Sequence, residues 1–384
     1  MDKPMIKVIS GMRRTGKSTL MRQLIEHLQG LHGQDRVLYI NMESLDNARF
    51  TDISVLHKHV RDWKKQIEGR LYLFIDEVQD IPGWEKAVNS FLADDDADIY
   101  ISGSNSRLLS GELADVISGR YIEIKMYPLV YSEFLEFREN EHSDENLFRD
   151  FLRFGGMPGL QHLESDEIQV YQYLTSLRDS VDLKDVIKRY NIRNVALLEK
   201  LMLFLFDNIG NIVSARRIAD YFRKEQRSLG HETVYNYMKY LEAAGLIIEA
   251  NRFDIKGKKL LEVNAKYYAA DIGLCHAFGG YRESRLSGYL ENIVFIELLY
   301  RGYEVSVGRI DEYEVDFIAC RRDEKIYIQV CYLLTNKEVL DREIRPLMKV
   351  DDNYPKYLLS MDTTPKSNQA GIVRQYLPNW LKES

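Results

Sequence analysis

A glycine-rich loop between an apolar strand and an amphipathic helix constrains this chain more than any other feature of its sequence. Residues 6–10 predict the strand, residues 19–31 predict the helix, and the loop between them has the spacing G-x-x-x-x-G-K-[ST]. The two glycines let the loop curl until its backbone N–H groups point inward, and the helix adds the positive end of its dipole. The loop therefore predicts a site for phosphate groups. The expected binding residues are Gly11, Met12, Arg13, Arg14, Thr15, Gly16, Lys17, Ser18 and Thr19.

Two carboxylates follow a second apolar strand. Residues 71–75 form a continuous apolar run, which is typical of a central parallel strand buried on both faces, and the run ends in Asp76 and Glu77. The carboxyl end of such a strand lies beside the phosphate loop, in the crevice where open α/β sheets bind ligands. Lys17 would then contact the β- and γ-phosphates of ATP, while Ser18 and Asp76 would hold Mg²⁺, Asp76 through water. Glu77 is expected to orient or deprotonate the attacking water, so the sequence predicts ATP hydrolysis.

Two further positions leave alternatives open. The strand at residues 98–102 runs into Gly103-Ser104-Asn105-Ser106, whose side chains either hydrogen-bond the γ-phosphate or the attacking water, or form an ordinary polar turn. Arg120 precedes another strand, residues 121–125. It is either an arginine finger that reaches the ATP of a neighbouring subunit or a solvated surface side chain, and the residues alone favour the second.

Together these motifs resemble the AAA+ superfamily of ATPases. Residues 11–18 resemble its Walker A motif, residues 71–77 its Walker B motif, and residues 98–105 a sensor strand. The resemblance covers nearly the whole chain. It implies that Asn105 or Ser104 is the sensor, that Arg120 is a finger in a homo-oligomer, and that residues 131–194 form a small helical lid. More narrowly, the chain resembles one archaeal and bacterial group of AAA-type ATPases, whose C-terminal domain has no assigned function. The residues that carry this resemblance are Ser102-Gly103-Ser104-Asn105, Ser118-Gly119-Arg120, Tyr127-Pro128-Leu129 and Gly155-Gly156-Met157-Pro158.

The pattern changes after residue 194. Three amphipathic helices and two strand-like runs, residues 246–250 and 260–268, predict a winged helix with a basic hairpin tip. Residues 211–260 carry ten Lys or Arg and six Asp or Glu, although the whole chain has a net charge of −7. This basic segment predicts DNA binding, and packing against the ATPase domain or a partner protein is the equally weighted alternative. The DNA-contact candidates are Asn236, Lys239, Tyr240, Lys256, Lys258 and Lys259.

The C-terminal region, residues 286–384, resembles the restriction-endonuclease-like fold. That fold takes a Glu from a helix, an Asp from one strand and E-x-K from the next strand, and its carboxylates hold Mg²⁺. Glu291 and Asp316 match the first two positions, but Gln329 and Cys331 stand where the fold has Glu and Lys. Gln is a weaker Mg²⁺ ligand and Cys supplies no ammonium group, so cleavage is not expected. A scaffold that binds DNA or protein is the favoured interpretation.

The predicted fold class is α/β, in four segments. These are a P-loop ATPase core with a parallel sheet (1–130), a helical lid (131–194), a winged helix (195–285) and a degenerate restriction-endonuclease-like α/β domain (286–384). Three cysteines are too few for a disulfide framework, and no apolar run approaches the ~20 residues of a membrane helix. The first strand begins almost at the initiator methionine, which leaves no room for a leader. We therefore expect a cytoplasmic protein without a membrane partner.

Three functions remain in competition at this point. The first is an ATPase that couples ATP turnover, with Mg²⁺, to DNA binding or remodelling. The second is an ATP-gated switch in signalling or defence, whose C-terminal domains bind a partner protein. The third, an ATP-dependent nuclease, is disfavoured by Gln329 and Cys331.

Overall fold

The computed structural model describes residues 5–94, 97–104, 117, 119–138, 144–163, 167–180, 182–223 and 229–383. The chain divides into two compact units, Met1–Met126 and Tyr127–Ser384. Within the described residues, every helix is too short or too polar to cross a membrane.

The first unit is an α/β fold built on a parallel sheet of five strands, in the order β2-β3-β4-β1-β5. Because β1 pairs with strands on both sides, the loop that follows it opens in the interior of the sheet's carboxyl edge, as in a P-loop ATPase domain. The helices and strands of this unit are β1 (Ile6–Gly11), α1 (Lys17–His32), β2 (Val37–Asn41), α2 (Ile53–Lys64), β3 (Leu71–Asp76), α3 (Trp84–Ala93), β4 (Ala97–Ser104) and β5 (Tyr121–Met126).

Burial of β3 on both faces explains its continuous apolar pattern. All of its residues are buried. Leu73 and Ile75 pack in the core cluster that contains residues of α2 and α3, whereas Phe74 packs with Tyr100 and with Met21 of α1. Successive side chains of a strand point to opposite faces. A strand between two helix layers therefore needs apolar residues at consecutive positions.

The second unit contains eleven helices and nine strands among the described residues. The helices are α4 (Tyr131–Phe137), α5 (Asp144–Phe154), α6 (Glu167–Ser180), α7 (Asp182–Arg189), α8 (Val195–Asp207), α9 (Ala215–Phe222), α10 (His231–Ala243), α11 (Ile272–Gly279), α12 (Leu286–Tyr300), α13 (Lys337–Lys349) and α14 (Leu377–Lys382). The strands are β6 (Ile212–Val213), β7 (Ile247–Asp254), β8 (Lys259–Ala269), β9 (Glu304–Ile310), β10 (Tyr313–Arg321), β11 (Glu324–Val330), β12 (Lys356–Ser360), β13 (Ser367–Gln369) and β14 (Ile372–Tyr376).

Local residue signals set the ends of two middle helices. Ser214 is the N-cap of α9, because its Oγ accepts a hydrogen bond from Arg217 N at 3.3 Å. α10 ends just before Gly245, which has a φ of 74°. These signals act within one helical turn, so the sequence alone can show them.

All nine strands of the second unit form one sheet, in the order β13-β14-β12-β11-β10-β9-β7-β8-β6. The hairpin β7–β8 is antiparallel, and β7 also pairs in parallel with β9 through residues 252–254 and 307–309. The sheet therefore runs without a break across residue 285, where the sequence predicted a boundary between two domains. Such pairing joins segments that are far apart in the chain, and no local pattern indicates it.

Two motifs from the sequence, Tyr127-Pro128-Leu129 and Gly155-Gly156-Met157-Pro158, contact each other in the second unit. Leu129 N donates to Gly156 O at 2.7 Å, and Gly156 N donates to Asp271 Oδ2 at 2.8 Å. A Cβ atom at Gly156 would lie 2.0 Å from Leu129 O, so this approach requires glycine. Burial raises the pKa of Asp271 to about 6, although the backbone N–H groups that it accepts oppose the shift. Asp271 thereby ties these motifs to the start of α11, which it caps.

Candidate functional site

The predicted phosphate loop lies at the carboxyl end of β1, between two neighbouring strands. Gly11, the last residue of β1, pairs with Ser104 of β4 on one side and with Met126 of β5 on the other. A Cβ atom at Gly11 would lie 2.5 Å from Met126 O, and Gly16 has a φ of +94°. Glycine is thus required at the first position by a close approach and at the second by the backbone conformation. α1 begins directly after Gly16, at Lys17.

The ammonium group of Lys17 is held by the loop itself. Lys17 is only 4% exposed, and its Nζ donates to Gly11 O at 3.1 Å and to Met12 O at 3.0 Å. Thr15 Oγ1 donates to the same Met12 oxygen at 2.8 Å. These acceptors are neutral carbonyls, whereas a phosphate oxygen is charged and forms a stronger hydrogen bond with an ammonium group. The loop therefore fits an anionic phosphate ligand.

The other predicted loop residues differ in exposure. Met12 is buried, Arg13 and Ser18 are half-buried, and Arg14 and Thr19 are exposed. Arg14 has a φ of 63°, in the left-handed region, so the loop turns sharply just before Thr15. Ser18 lies in the first turn of α1, directly after Lys17, where the prediction has its hydroxyl group bind Mg²⁺.

Asp76 ends β3, and both of its carboxylate oxygens accept hydrogen bonds. Tyr39 OH, from β2, donates to Oδ2 at 3.0 Å, and Ser102 Oγ, from β4, donates to Oδ1. Burial, together with the Asp76 charge, raises the pKa of Tyr39 to about 12, so Tyr39 keeps its proton and remains a donor. Two donors on neighbouring strands thereby fix the orientation of this buried carboxylate.

Glu77 follows Asp76 with a φ of 55°, which is a strained backbone conformation typical of functional sites. Its N–H donates to Ser102 Oγ at 3.2 Å, and its side chain accepts a hydrogen bond from Gln79 Nε2. Burial raises the pKa of Glu77, and the ammonium group of Lys17 is the first of the groups that oppose this shift. A carboxyl group with a raised pKa is a stronger base than an exposed one.

Two residues that the sequence did not assign complete this site. Ser102 is fully buried and hydrogen-bonds both Asp76 and the backbone of Glu77. A hydroxyl group at the end of an otherwise buried strand needs polar partners, and that requirement could have identified Ser102. Tyr39 gives no comparable signal, because its contact with Asp76 depends on β2 lying beside β3.

The two remaining catalytic candidates are Asn105 and Arg120. Asn105 lies outside the described residues. Arg120 is exposed and precedes β5, where its carbonyl oxygen accepts a hydrogen bond from Ile6 N at 2.8 Å. Ile6 begins β1, whereas Gly11 ends it beside the phosphate loop. The length of β1 therefore separates Arg120 from the loop of its own chain.

Two of the six DNA-contact candidates are already engaged by carboxylates. Lys239 forms ion pairs with Glu242 at 2.8 Å and with Glu249 at 2.9 Å. Burial opposes the charged form of Lys239, but the hydrogen bonds that its ammonium group donates to these two carboxylates outweigh burial, so the pKa of Lys239 is raised. Lys256 pairs with Asp311 at 2.7 Å. A DNA phosphate would have to compete with these partners for both lysines.

The other four candidates are placed differently. Tyr240 stacks on Tyr190, with ring centroids 3.8 Å apart. Asn236, Lys258 and Lys259 are exposed. The last two lie at the tip of the β7–β8 hairpin, as the sequence predicted.

Three of the four residues of the predicted nuclease-like site come together, around a lysine that the sequence did not point to. Lys266, on β8, is buried, and its Nζ lies 2.8 Å from Glu291 Oε1, 2.7 Å from Glu314 Oε1 and 3.7 Å from Asp316 Oδ1. Asp316 N donates to Gln329 Oε1 at 3.3 Å. Burial lowers the pKa of Lys266, but the three carboxylates outweigh it and raise the pKa. The ammonium group therefore stays charged.

Cys331 is buried in an apolar cluster with Tyr327 and Leu358. Burial raises the pKa of its thiol to about 12, and Glu343 is the next contributor. The thiol therefore stays protonated, and thiolate chemistry at Cys331 is not supported. Among the residues that the structure describes, no group of three or more His, Cys, Asp and Glu side chains is arranged to hold a metal ion.

Comparison with known proteins agrees with the geometry of the first unit. Residues 3–135 match a family model described as an AAA domain. Residues 145–285 match a model described as a domain of unknown function (DUF8612).

Two relatives match at least nine tenths of the chain. An uncharacterized protein of Haemophilus influenzae is 36% identical over 99% of this chain and 95% of its own length. The uncharacterized protein MJ1544 of Methanocaldococcus jannaschii is 32% identical over 90% of this chain and 78% of its own length.

Two solved structures have a weak resemblance to the chain. The ORC1 protein of Aeropyrum pernix, solved in complex with DNA, is 14% identical with a TM-score of 0.31, over 72% of this chain and 86% of that one. A RuvB mutant of Thermotoga maritima is 17% identical with a TM-score of 0.30, over 64% of this chain and 82% of that one. TM-scores this low support no conclusion about the fold or function of this chain.

Proposed function

We propose that this chain binds and hydrolyses ATP. It belongs to the same protein family as the Haemophilus influenzae protein and MJ1544, and it carries an AAA domain at residues 3–135. One observation carries the proposal. Asp76 and Glu77 are both held by Ser102, and the charge of Lys17 acts on Glu77. The residues proposed as metal-binding carboxylate, base and phosphate-binding cation thereby lie at one edge of the sheet, which supports phosphoryl transfer to water.

ATP binding would use the curled loop and the start of α1. The loop's backbone N–H groups would donate to phosphate oxygens, and Lys17 would exchange its two carbonyl partners for the β- and γ-phosphates. Ser18 and Asp76 are the residues that would hold Mg²⁺, Asp76 through water. Mg²⁺ neutralises charge on the phosphates when it is bound.

Glu77 would orient the attacking water and accept its proton. Its burial supports this role, because the raised pKa makes the carboxylate a stronger base. Ser102 would keep the two carboxylates of Asp76 and Glu77 in fixed relative positions, since its hydroxyl group bonds to both residues. Ser102 is thus proposed as a positioning residue.

Arg120 would act on the ATP of a neighbouring subunit in a homo-oligomer. β5 runs parallel to β1, with Tyr121 beside Ile6 and Met126 beside Gly11. Five residue steps along a strand span about 17 Å at ~3.3 Å per residue. That distance is longer than an arginine side chain can reach, which supports action in trans over action within the same chain.

Two finer fold assignments for the second unit belong to this proposal. The chain order α8, β6, α9, α10, β7, β8, with β6 paired to β8, supports a winged helix. α12 followed by the β9–β11 meander, with Glu291 and Asp316 brought together, supports a restriction-endonuclease-like fold.

We further infer that ATP turnover is coupled to DNA. Lys258 and Lys259 are exposed at the hairpin tip, which supports contact with phosphates. A protein-binding switch is the second candidate. It is favoured by the carboxylate partners of Lys239 and Lys256, which leave fewer lysines for DNA.

The test of hydrolysis compares matched pairs of variants of the full chain. Lys17→Ala should lose binding of a fluorescent ATP analogue, because the loop loses its cation. Glu77→Gln should bind that analogue normally and lose phosphate release. Lys58→Ala and Glu68→Gln, at exposed positions of the same unit, should behave like the unsubstituted protein. Normal phosphate release by Glu77→Gln would show that Glu77 is not the base.

The test of DNA coupling is the ATPase rate with and without single-stranded, duplex and branched DNA, at two salt concentrations. Stimulation that disappears at high salt supports coupling, because phosphate contacts are sensitive to salt. A rate that no DNA changes, with tightly retained nucleotide, supports the protein-binding switch instead.

A further inference from the structure

The acidic cluster around Lys266 has no part in ATP hydrolysis as proposed. Its members come from three elements of the second unit: Lys266 from β8, Glu291 from α12, and Glu314 and Asp316 from β10. Three carboxylates here face a single ammonium group at 2.7, 2.8 and 3.7 Å. The side chain of Lys266 is 2% exposed, and those of Glu291 and Asp316 are each 10% exposed.

The cluster is held in place by further hydrogen bonds. Tyr268 OH donates to Glu291 Oε1 at 2.6 Å, and Val330 N donates to Asp316 Oδ2 at 2.8 Å. Gln329 Nε2 donates to Glu343 Oε2 at 3.3 Å. These bonds fix the carboxylates in place around the ammonium group, which is the one cation that the described residues bring to them.

A divalent metal does not fit this cluster while Lys266 is present. The ammonium group lies within hydrogen-bond distance of two of the carboxylates and within ion-pair distance of the third, so a metal at the same place would meet a positive charge. The neutral Gln329 also stands where a further acidic ligand would be needed. The arrangement thus disagrees with the Mg²⁺ site that the C-terminal resemblance implies.

We propose that Lys266 is the resident cation of this cluster and occupies the position that a divalent metal ion would otherwise take. Its ammonium group neutralises part of the charge of Glu291, Glu314 and Asp316 and binds the hairpin strand β8 to α12 and β10. The β7–β9 pairing joins the same two regions through the backbone. The hairpin and the C-terminal strands are thus joined both by side chains and by backbone pairing.

Removal of the ammonium group should convert the cluster into a metal site. Lys266→Met keeps most of the side-chain volume and leaves three carboxylates around the vacated position. Glu291 also lines a polar cavity of about 250 Å³, which gives a cation a route to the cluster. Carboxylate oxygens are the ligands that Mn²⁺ and Ca²⁺ prefer.

The experiment measures Mn²⁺ binding by electron paramagnetic resonance and the melting temperature with and without Mn²⁺ or Ca²⁺. Every variant of the full chain carries Asp76→Asn, which removes the carboxylate proposed to hold metal in the first unit. Lys266→Met should bind one more Mn²⁺ per chain than the Asp76→Asn background. It should melt on the order of 10 °C lower without metal, because the carboxylates lose their partner, and should regain much of that loss with metal.

Two control variants separate this effect from the general loss of an ion pair. Lys7→Met removes the buried ammonium group that pairs with Asp98, and should lower the melting temperature without rescue by metal. Lys239→Met removes an ion-paired lysine that is 42% exposed, and should change the melting temperature little. Neither should gain a Mn²⁺ ion.

When Lys266→Met folds, two results would overturn the proposal. One is an extra Mn²⁺ ion in the background protein that Glu291→Gln abolishes, since the cluster would then already be a metal site. The other is a Lys266→Met variant that gains no Mn²⁺. If Lys266→Met does not fold, the double variant Lys266→Met/Glu291→Gln should fold better, because it buries one unpaired carboxylate fewer. A double variant that also fails to fold would overturn the proposal as well.

Discussion

Ser102→Ala is the substitution that most directly tests how the nucleotide site is built. Ser102 is fully buried, and its hydroxyl group both donates to Asp76 Oδ1 and accepts from Glu77 N. Alanine removes the oxygen and changes the packing little, since only one atom is lost. The substitution therefore leaves one buried carboxylate oxygen without its donor and one buried N–H without its acceptor.

The expected magnitude follows from these two lost bonds. Each buried polar group left without a partner costs about 1–3 kcal/mol. We expect the free energy of unfolding of the first unit to fall by roughly 2–6 kcal/mol, since two groups lose their partners. If about half of the same loss also affects the transition state, kcat falls by roughly 5–140-fold, because 1.4 kcal/mol corresponds to about tenfold in rate. The ammonium group of Lys17 is untouched, so KM for ATP should change much less than kcat.

The assay is steady-state ATP hydrolysis at several ATP concentrations, normalised by the stoichiometry of nucleotide binding. This normalisation removes any contribution from unfolded protein, which a purely structural role would produce. Ser90→Ala is the matched control, since Ser90 Oγ contacts His57 at 3.2 Å in the same unit and away from the site. An Ser102→Ala enzyme with kcat within twofold of the unsubstituted protein, per bound nucleotide, would refute the positioning role.

Three further predictions concern other parts of the molecule. Arg120→Ala should bind nucleotide but lose hydrolysis, and Glu77→Gln subunits, which keep their arginine, should restore its activity in a mixture, as measured by phosphate release. Lys258→Ala/Lys259→Ala should weaken DNA binding and reduce its salt dependence more than Lys239→Ala does, as measured by fluorescence anisotropy. Asp271→Asn should alter the pH dependence of unfolding. The folded pKa of Asp271, about 6, exceeds its ordinary 3.8, so its contribution is fully present below about 3.8 and falls by up to about 3 kcal/mol as the pH rises to 6.

Each of these three predictions has a result that would contradict it. Hydrolysis by a purified monomer at the full rate would remove Arg120 as a finger in trans. Equal losses of DNA affinity from Lys239→Ala and from the hairpin double variant would show that the ion pairs of Lys239 do not limit its availability. Identical slopes of unfolding free energy against pH, between 4 and 6, for Asp271→Asn and the unsubstituted protein would refute the pKa shift of Asp271.

Two residues outside the sequence motifs, Tyr39 and Lys266, show why the sequence did not predict every residue of the two sites. Tyr39 contacts Asp76 only because β2 is the neighbour of β3, and strand order is not written in any local pattern. Lys266 lies 25 residues before Glu291 and 50 before Asp316, in a run that predicts only a strand. The sequence predicted that Cys331 leaves the acidic site without an ammonium group. The structure supplies one from β8.

The sequence by itself determined the phosphate loop, the carboxylates after β3 and the helix caps of the middle segment. Each of these depends on residues within a few positions of one another, whose geometry is set by backbone conformation and by strand or helix periodicity. Only the tertiary structure decided that Ser102 and Tyr39 orient Asp76, that Arg120 is remote from its own loop, and that Lys266 fills the acidic cluster. These contacts join distant segments through sheet order and register, which depend on how the whole chain packs.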